Sequence, residues 1–97
     1  MNDTVTPHVN ASKEYGPNAI TVTLEWTHIN GVSYIIDVDP MVTVNYAASE
    51  RSTAKLVMMY DKKYNISVIA SLCGTNRTTL ITINQGKLIG KLILITY

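Results

Sequence analysis

The chain has 97 residues, the size of one domain, with 8 Lys and Arg against 7 Asp and Glu. A formal net charge of +1, without a run of basic residues, gives no electrostatic reason to expect nucleic-acid binding. Phe is absent and only 15% of the residues are charged, whereas Val, Ile, Thr and Tyr are abundant, and this composition favours strands. The single cysteine, Cys73, has no partner for an internal disulfide, so stability must come from packing.

Turn residues recur about every eight to twelve positions, the spacing of an all-β sandwich. The first strand is predicted at a sheet edge, because Pro7 cannot donate to a ladder. Residues 16–18 predict a turn, and so do Asn30 and Gly31, which both tolerate a positive φ. Between the turns, apolar and polar residues alternate with the period of half-buried strands. The seven predicted strands are residues 5–9, 20–26, 32–38, 41–46, 53–58, 62–72 and 77–84.

The most informative stretch is residues 58–74. Tyr64, Ile66 and Val68 share one parity of the predicted strand, and the opposite parity is polar except for Ile69. A Tyr that opens such a strand can bury its ring while its hydroxyl binds an upstream backbone group. We therefore predict that Tyr64 forms the tyrosine corner of a β-sandwich domain.

The order of these landmarks resembles the fibronectin type III family. Trp26 lies on the second predicted strand, Tyr34 on the third, and Met58-x-Tyr60-x-x-x-Tyr64 leads into the sixth, with Met58 where the family usually has Leu. True immunoglobulin domains instead carry their Trp on the third strand, between two cysteines. The resemblance implies a seven-stranded antiparallel β-sandwich of immunoglobulin-like topology over residues 1–86. In that family strands A, B and E face strands C′, C, F and G. The expected structural core comprises Trp26, Tyr34, Met58, Tyr64, Ile66 and Val68.

Residues 87–97 form an apolar tail outside the resemblance. Eleven residues cannot cross a bilayer core, which needs about 20, and Lys91 interrupts the apolar run. Three interpretations stay open: an extended last strand, the start of a membrane segment that is cut short, or a junction outside the domain. The N-terminus lacks a basic start and an apolar stretch, so it predicts no signal peptide.

The search for reactive groups predicts no catalytic residue, no cofactor and no metal ion. His8 and His28 have no accompanying ligand motif, and both are expected to be solvated loop side chains. Asp37 and Asp39 share the outward parity of their strand, where carboxylates serve solubility rather than acid–base chemistry. Cys73 is expected to be partly buried near a strand end, or else to be half of a bridge to another chain. The chain is not expected to be an enzyme.

N-glycosylation acceptor triplets exceed their expected number. The sequence has four, whereas its Asn, Ser and Thr content gives about 1.5 by chance. A Thr-rich composition that produces them incidentally remains an alternative, but the surplus favours a secreted glycoprotein. The candidate N-glycosylation sites are Asn2, Asn10, Asn65 and Asn76.

By analogy with the family, the loops at one end of the sandwich are the expected binding edges, because loops carry function on rigid scaffolds. The candidate binding residues are His28, Asn30, Gly74, Thr75, Asn76 and Arg77. We expect an extracellular or cell-surface module that serves as a spacer or protein-binding element of a larger adhesion or receptor-type protein. Its expected partners are proteins and neighbouring domains of the same chain.

Two alternatives stay open at this point. One is the membrane-proximal ectodomain of a single-pass receptor, in which the chain meets the membrane only through a continuation beyond Tyr97. The other is an accessory module of a secreted carbohydrate-active enzyme, which would bind sugars through exposed aromatic side chains. The candidates for that role are Tyr15, Tyr46 and Tyr97, which are widely dispersed in the sequence.

Overall fold

A computed structural model of the chain describes residues 6–46, 52–84 and 87–96, the last range by its backbone alone. These residues form strands and turns, and they contain eight strands where the sequence predicts seven. The strands are β1 (Asn10–Tyr15), β2 (Ile20–Glu25), β3 (Ser33–Asp39), β4 (Val44–Tyr46), β5 (Thr53–Met58), β6 (Lys63–Leu72), β7 (Thr75–Asn84) and β8 (Lys87–Thr96).

The strands form two antiparallel sheets of four strands each. One sheet has the order β1-β2-β5-β4 and the other has the order β3-β6-β7-β8. Both sheets contribute side chains to one cluster of buried apolar residues, so the molecule is an all-β, sandwich-like fold. The all-β class predicted from composition and period-two alternation is therefore confirmed.

The core follows from that alternation. In β2, Ile20, Val22 and Leu24 are fully buried while the residues between them are partly exposed. Each fully buried side chain of this size contributes about 1.5–3 kcal/mol relative to an exposed one. The residues that the family resemblance expects in the core are all buried: Trp26, Tyr34, Met58, Tyr64, Ile66 and Val68.

Tyr64 opens β6 with its ring inside the core and its hydroxyl on the backbone. The ring is 2% exposed, and the hydroxyl accepts a hydrogen bond from the N–H of Met59 at 3.1 Å. Met59 lies in the connection between β5 and β6, five residues upstream. The bond therefore ties the turn to the strand that follows it, which is the geometry predicted for the tyrosine corner.

The first predicted strand is wrong in its position. β1 begins at Asn10, and residues 6–9 are not part of a strand; Val5 lies outside the described residues. Thr6, Pro7 and Val9 are buried instead, and the hydroxyl of Thr79 donates to the Pro7 carbonyl at 2.6 Å. Because Pro7 has no N–H and its carbonyl bonds to a side chain, this segment packs against the interior rather than joining a ladder.

The fourth strand is shorter than predicted and lies in the other sheet. Residues 41–43 are irregular, and β4 pairs with β5, with Val44 opposite Leu56 and Tyr46 opposite Ala54. The family arrangement would place this strand beside β3. The hydroxyl of Tyr46 nevertheless reaches β3, where it accepts the N–H of Ile36 at 3.1 Å. A three-residue strand has too few ladder positions for its sequence to specify its neighbour.

β6, β7 and β8 are connected in sequence and pair antiparallel. Cys73 and Gly74 form the turn from β6 to β7 with φ angles of 50° and 79°. Positive φ at both central residues is the requirement of a two-residue type I′ hairpin turn. Residues 87–96 form β8, which pairs with β7 along its length, with a register irregularity between Thr82 and Ile83. The described part of the tail is thus a strand of the second sheet.

Candidate functional site

The connection 26–32 and the turn 73–74 lie at the same end of the fold, which we call the loop end. The register places Ser33, where β3 begins, opposite Ser71 near the end of β6. It also places Asn10, where β1 begins, opposite Glu25 at the end of β2. The two connections predicted as binding edges therefore lie at one end of the two sheets, together with the segment that precedes β1.

The hydroxyl of Tyr34 organises the 26–32 connection. It donates to the carbonyl of Thr27 at 3.3 Å and accepts the N–H of Ile29 at 3.2 Å. The N–H of Val32 then bonds the Ile29 carbonyl at 3.1 Å and closes a turn, in which Gly31 has a φ of 84°. Because the Tyr34 side chain is buried in the core, its hydrogen bonds fix the backbone of this loop relative to β3.

Three rings form a cluster under the loop. The Tyr34 ring lies 5.8 Å from the Trp26 ring and 5.3 Å from the His28 ring, in tilted arrangements. Trp26 and Tyr34 are buried, whereas His28 is exposed. The N–H of Trp26 also donates to the carbonyl of Ser52 at 2.9 Å, which attaches the start of the loop to the segment before β5. The imidazole of His28 therefore packs on the buried Tyr34 ring. In the sequence, His28 lies between Thr27 and Ile29, whose backbone groups are hydrogen-bonded to the Tyr34 hydroxyl.

A shallow polar cleft of about 170 Å³ adjoins the loop. It opens to solvent and is lined by His8, Asn10, Glu25, Trp26 and Thr27. The imidazole, carboxamide, carboxylate and hydroxyl groups offer donors and acceptors but little apolar area. A cleft of this size and polarity can receive one side chain of a protein partner rather than bury a drug-sized ligand.

Most of the predicted binding residues lie at the loop end and are accessible. His28, Asn30, Gly74 and Asn76 are exposed, and Thr75 is half-buried at the start of β7.

Arg77 is the exception, and its prediction as a loop residue is wrong. The turn takes only two residues, so Arg77 belongs to β7, on its inner face opposite Ala70, and it is 2% exposed. The Nη1 of Arg77 donates to the Asn76 carbonyl at 3.2 Å. Arg77 is therefore an interior residue and does not reach a partner's surface.

The candidate glycosylation sites in the described residues are all exposed. Asn10 opens β1, Asn65 lies on the outer face of β6, and Asn76 lies near the start of β7; Asn2 is outside the described residues. Thr82 donates to Oδ1 of Asn65 at 3.1 Å, and Ser71 donates to Oδ1 of Asn76 at 2.6 Å. The outer face of the second sheet thus carries two oriented carboxamides.

Tyr15 and Tyr46, two of the aromatic residues proposed for sugar binding, lie at opposite ends of the first sheet. Tyr15 stacks on Tyr60 at the end opposite the loop end, with 6.3 Å between the ring centroids, and Tyr60 donates to the Gly16 carbonyl at 2.7 Å. Tyr46 bonds β3, as described above, and Tyr97 lies outside the described residues. Sequence reasoning missed the pairing of Tyr60, because the residue lies in a connection, where parity carries no information.

The remaining reactive groups are dispersed. In residues 6–46, 52–84 and 87–96, no group of three or more His, Cys, Asp and Glu side chains could hold a metal ion. Asp37 and Asp39 point to solvent from β3. Cys73 is exposed at the hairpin turn rather than partly buried.

Comparison of the chain with protein-family models, with curated proteins and with solved structures finds no match. Within the described part of the chain, no helix is long and apolar enough to cross a membrane. Function must therefore be inferred from the geometry of the chain itself.

The role of Tyr34 in the loop can be tested with Tyr34→Phe, which keeps the ring and removes both hydroxyl bonds. We expect the Ile29 amide to exchange with solvent faster, and the unfolding free energy to fall by about 0.5–1.5 kcal/mol. Hydrogen exchange followed by NMR measures both. Tyr46→Phe removes a comparable hydroxyl elsewhere and should leave Ile29 protection unchanged. Equal exchange at Ile29 in Tyr34→Phe and the parent protein would show that the hydroxyl does not hold the loop.

Proposed function

We propose that this chain is a non-catalytic, extracellular, fibronectin type III-like module that binds a protein partner through its loop end. The observation that carries the proposal is the double hydrogen bond from the Tyr34 hydroxyl to the backbone at Thr27 and Ile29. It fixes the loop while His28 and Asn30 stay exposed. A larger protein of adhesion or receptor type would use such a module as a recognition element.

A fixed loop favours binding for an entropic reason. A mobile loop loses conformational freedom when a partner immobilises it, and this loss subtracts from affinity. Here the core has already ordered the backbone on both sides of His28. The polar cleft beside the loop adds Glu25 and His8, which can satisfy the hydrogen bonds of a polar partner side chain.

The family assignment within this proposal is supported by the positions of two aromatic residues. Trp26 directly follows β2, Tyr64 makes the corner bond at the start of β6, and the chain has a single cysteine. The order β1-β2-β5-β4 departs from the family in one strand and matches the four-stranded sheet of constant-type immunoglobulin domains. We infer an immunoglobulin-like sandwich in which β8 is an addition.

The extracellular placement is supported by the acceptor triplets. The three in described residues present exposed asparagines, so a glycan at any of them would leave the core undisturbed. Exposure alone does not require secretion, but together with the surplus of triplets it favours the secretory route.

The proposal is tested by binding to intact cells of the source organism, with the labelled protein and two double variants. His28→Ser with Asn30→Ser alters the loop end, and Asp61→Ser with Lys62→Ser alters exposed residues in the connection between β5 and β6 at the opposite end. We expect the first variant to lose at least tenfold in affinity, or about 1.4 kcal/mol, and the second to bind like the parent. Prior protease treatment of the cells should abolish binding.

Equal loss in both variants, or loss only in the second, would place the contact elsewhere and contradict the proposed site. Protease-resistant binding would contradict a protein partner. Absence of binding would leave the module as a spacer, with the loop end serving contacts to neighbouring domains.

A further inference from the structure

The outer face of the second sheet carries a row of exposed and half-buried apolar side chains on β3, β6 and β7. Ile35 is 57% exposed, and the register places it opposite Ile69, which is half-buried. Leu80 is also half-buried and lies opposite Ser67, in the neighbouring row of the same face. We call Ile35, Ile69 and Leu80 the outer apolar row. Ile69 is the residue that interrupts the polar parity of β6 in the sequence.

Two glycosylation triplets flank this row. Asn76 lies opposite Ser71, two residues along β6 from Ile69, or about 7 Å away along the strand. On the other side, Asn65 lies four residues from Ile69 on β6 itself, or about 13 Å away. The register of β3, β6 and β7 places all of these positions on the same face, so both asparagines project from the face that exposes the row.

The hydrogen bonds of the two asparagines are compatible with glycosylation. Each accepts a cross-strand hydroxyl bond at Oδ1, from Thr82 to Asn65 and from Ser71 to Asn76. A glycan is attached through the side-chain nitrogen, Nδ2, and not through Oδ1. The bonds therefore restrict the side-chain rotation of each asparagine and with it the direction in which the first sugar leaves the sheet.

We propose that N-linked glycans at Asn65 and Asn76 lie over the outer apolar row and shield it from water and from other proteins. The inference rests on the extracellular placement proposed above. Sugars combine apolar C–H faces with hydroxyl edges, so they can cover a narrow apolar row and remain soluble. An exposed apolar surface between polar residues otherwise promotes association, and bulky glycans on both sides prevent this. His28 and Asn30, on the 26–32 connection, then remain open to a partner.

The test uses the protein secreted from eukaryotic cells behind an added leader, with variants that abolish the triplets without altering the asparagines. Ser67→Ala removes the Asn65 triplet, and Thr78→Val removes the Asn76 triplet while it keeps the shape of a 9% exposed side chain. Ser12→Ala removes the Asn10 triplet on β1, in the other sheet, and is the matched control. Peptide mass spectrometry measures occupancy, and the fluorescence of an apolar-surface dye measures exposure of the row.

We expect sugar at both sites in the parent protein. The Ser67→Ala/Thr78→Val protein should show a several-fold rise in dye fluorescence, and Ser12→Ala should show none. Adding Ile35→Thr and Ile69→Thr to the double variant should return the signal to the parent level. Enzymatic removal of the glycans from the folded parent should reproduce the rise, which keeps the test decisive if the double variant is poorly secreted.

Occupied sites whose removal leaves dye binding unchanged would overturn the shielding. So would bare Asn65 and Asn76 in a protein that carries sugar at Asn10, although the extracellular placement would then stand. If none of the three asparagines carried sugar, both inferences would fall. Self-association of the fully glycosylated protein that Ile35→Thr abolishes would identify the row as a contact between copies, and this too would overturn the proposal.

Discussion

Replacement of Trp26 by alanine is expected to lower the unfolding free energy by about 3–5 kcal/mol. The Trp26 side chain is 5% exposed and packs beside Tyr34 in the core, so the substitution opens a cavity at the loop end of the core. Among the described residues the indole N–H has no acceptor, so the effect comes from the apolar ring. A loss of this size is a large part of the total stability of a small domain, which is about 5–15 kcal/mol.

Urea denaturation followed by far-ultraviolet circular dichroism measures this effect, because Trp26 is the single tryptophan and its fluorescence disappears with it. Met41→Ala is the control: that side chain is 91% exposed, and the change should shift stability by less than about 0.5 kcal/mol. If the unfolding free energy of Trp26→Ala differed from that of the parent protein by less than this margin, the indole would not be a central residue of the core.

The second large effect is expected at Tyr64. Tyr64→Ala removes a 2% exposed ring and should also cost about 3–5 kcal/mol. Tyr64→Phe keeps the ring but leaves the N–H of Met59 without its acceptor, and should cost about 1–3 kcal/mol. The difference between the two variants separates the packing of the ring from the hydrogen bond of the corner.

Chemical denaturation of both variants, alongside Tyr60→Phe, tests this partition. Tyr60→Phe also removes a hydrogen bond from a hydroxyl to the backbone, but this bond to Gly16 is exposed to solvent. The unfolding free energy should therefore fall less than in Tyr64→Phe. A Tyr64→Phe protein as stable as the parent would show that the hydroxyl does not stabilise the turn. The corner would then be a packing feature only.

The sequence predicts the central strands well because their buried face is apolar and their opposite face is mostly polar. β2, β5 and β6 alternate buried apolar with more exposed residues, and their predicted bounds differ from the structure by no more than one residue at each end. β1 lacks this signal, since its residues are exposed or half-buried throughout and the apolar residues near it precede the strand. An edge strand of this kind leaves no period to read.

Pairing and the fate of the tail depend on information that local patterns do not hold. Alternation states which face of β4 is buried but not whether β3 or β5 lies beside it. The apolar run after residue 86 is compatible with a strand or with a buried helix, because periodicity cannot separate the two in short runs. The structure assigns it to β8 only through its register with β7.

At the loop end, sequence reasoning located the loops but not the details of their chemistry. The positions of His28 and Asn30 followed from the Asn30-Gly31 turn signal, and the role of Tyr34 in holding the loop did not, since its partners are backbone groups. The analogy with the family groups Arg77 with the loop that contains Gly74, although Arg77 also opens the seventh predicted strand. A two-residue turn instead begins β7 at Thr75 and places Arg77 on the inner face.

The hydroxyl of Tyr46 has a consequence for how molecules of this kind stay apart in concentrated solution. β3 is an edge strand of its sheet. Edge strands present unpaired backbone N–H and C=O groups, with which an extended segment of another polypeptide can pair. A phenol reaching across from the opposite layer occupies the Ile36 amide in the middle of that border. An incoming strand would have to break this bond before it could pair with Ile36, so the Tyr46 hydroxyl opposes strand addition at this position of β3.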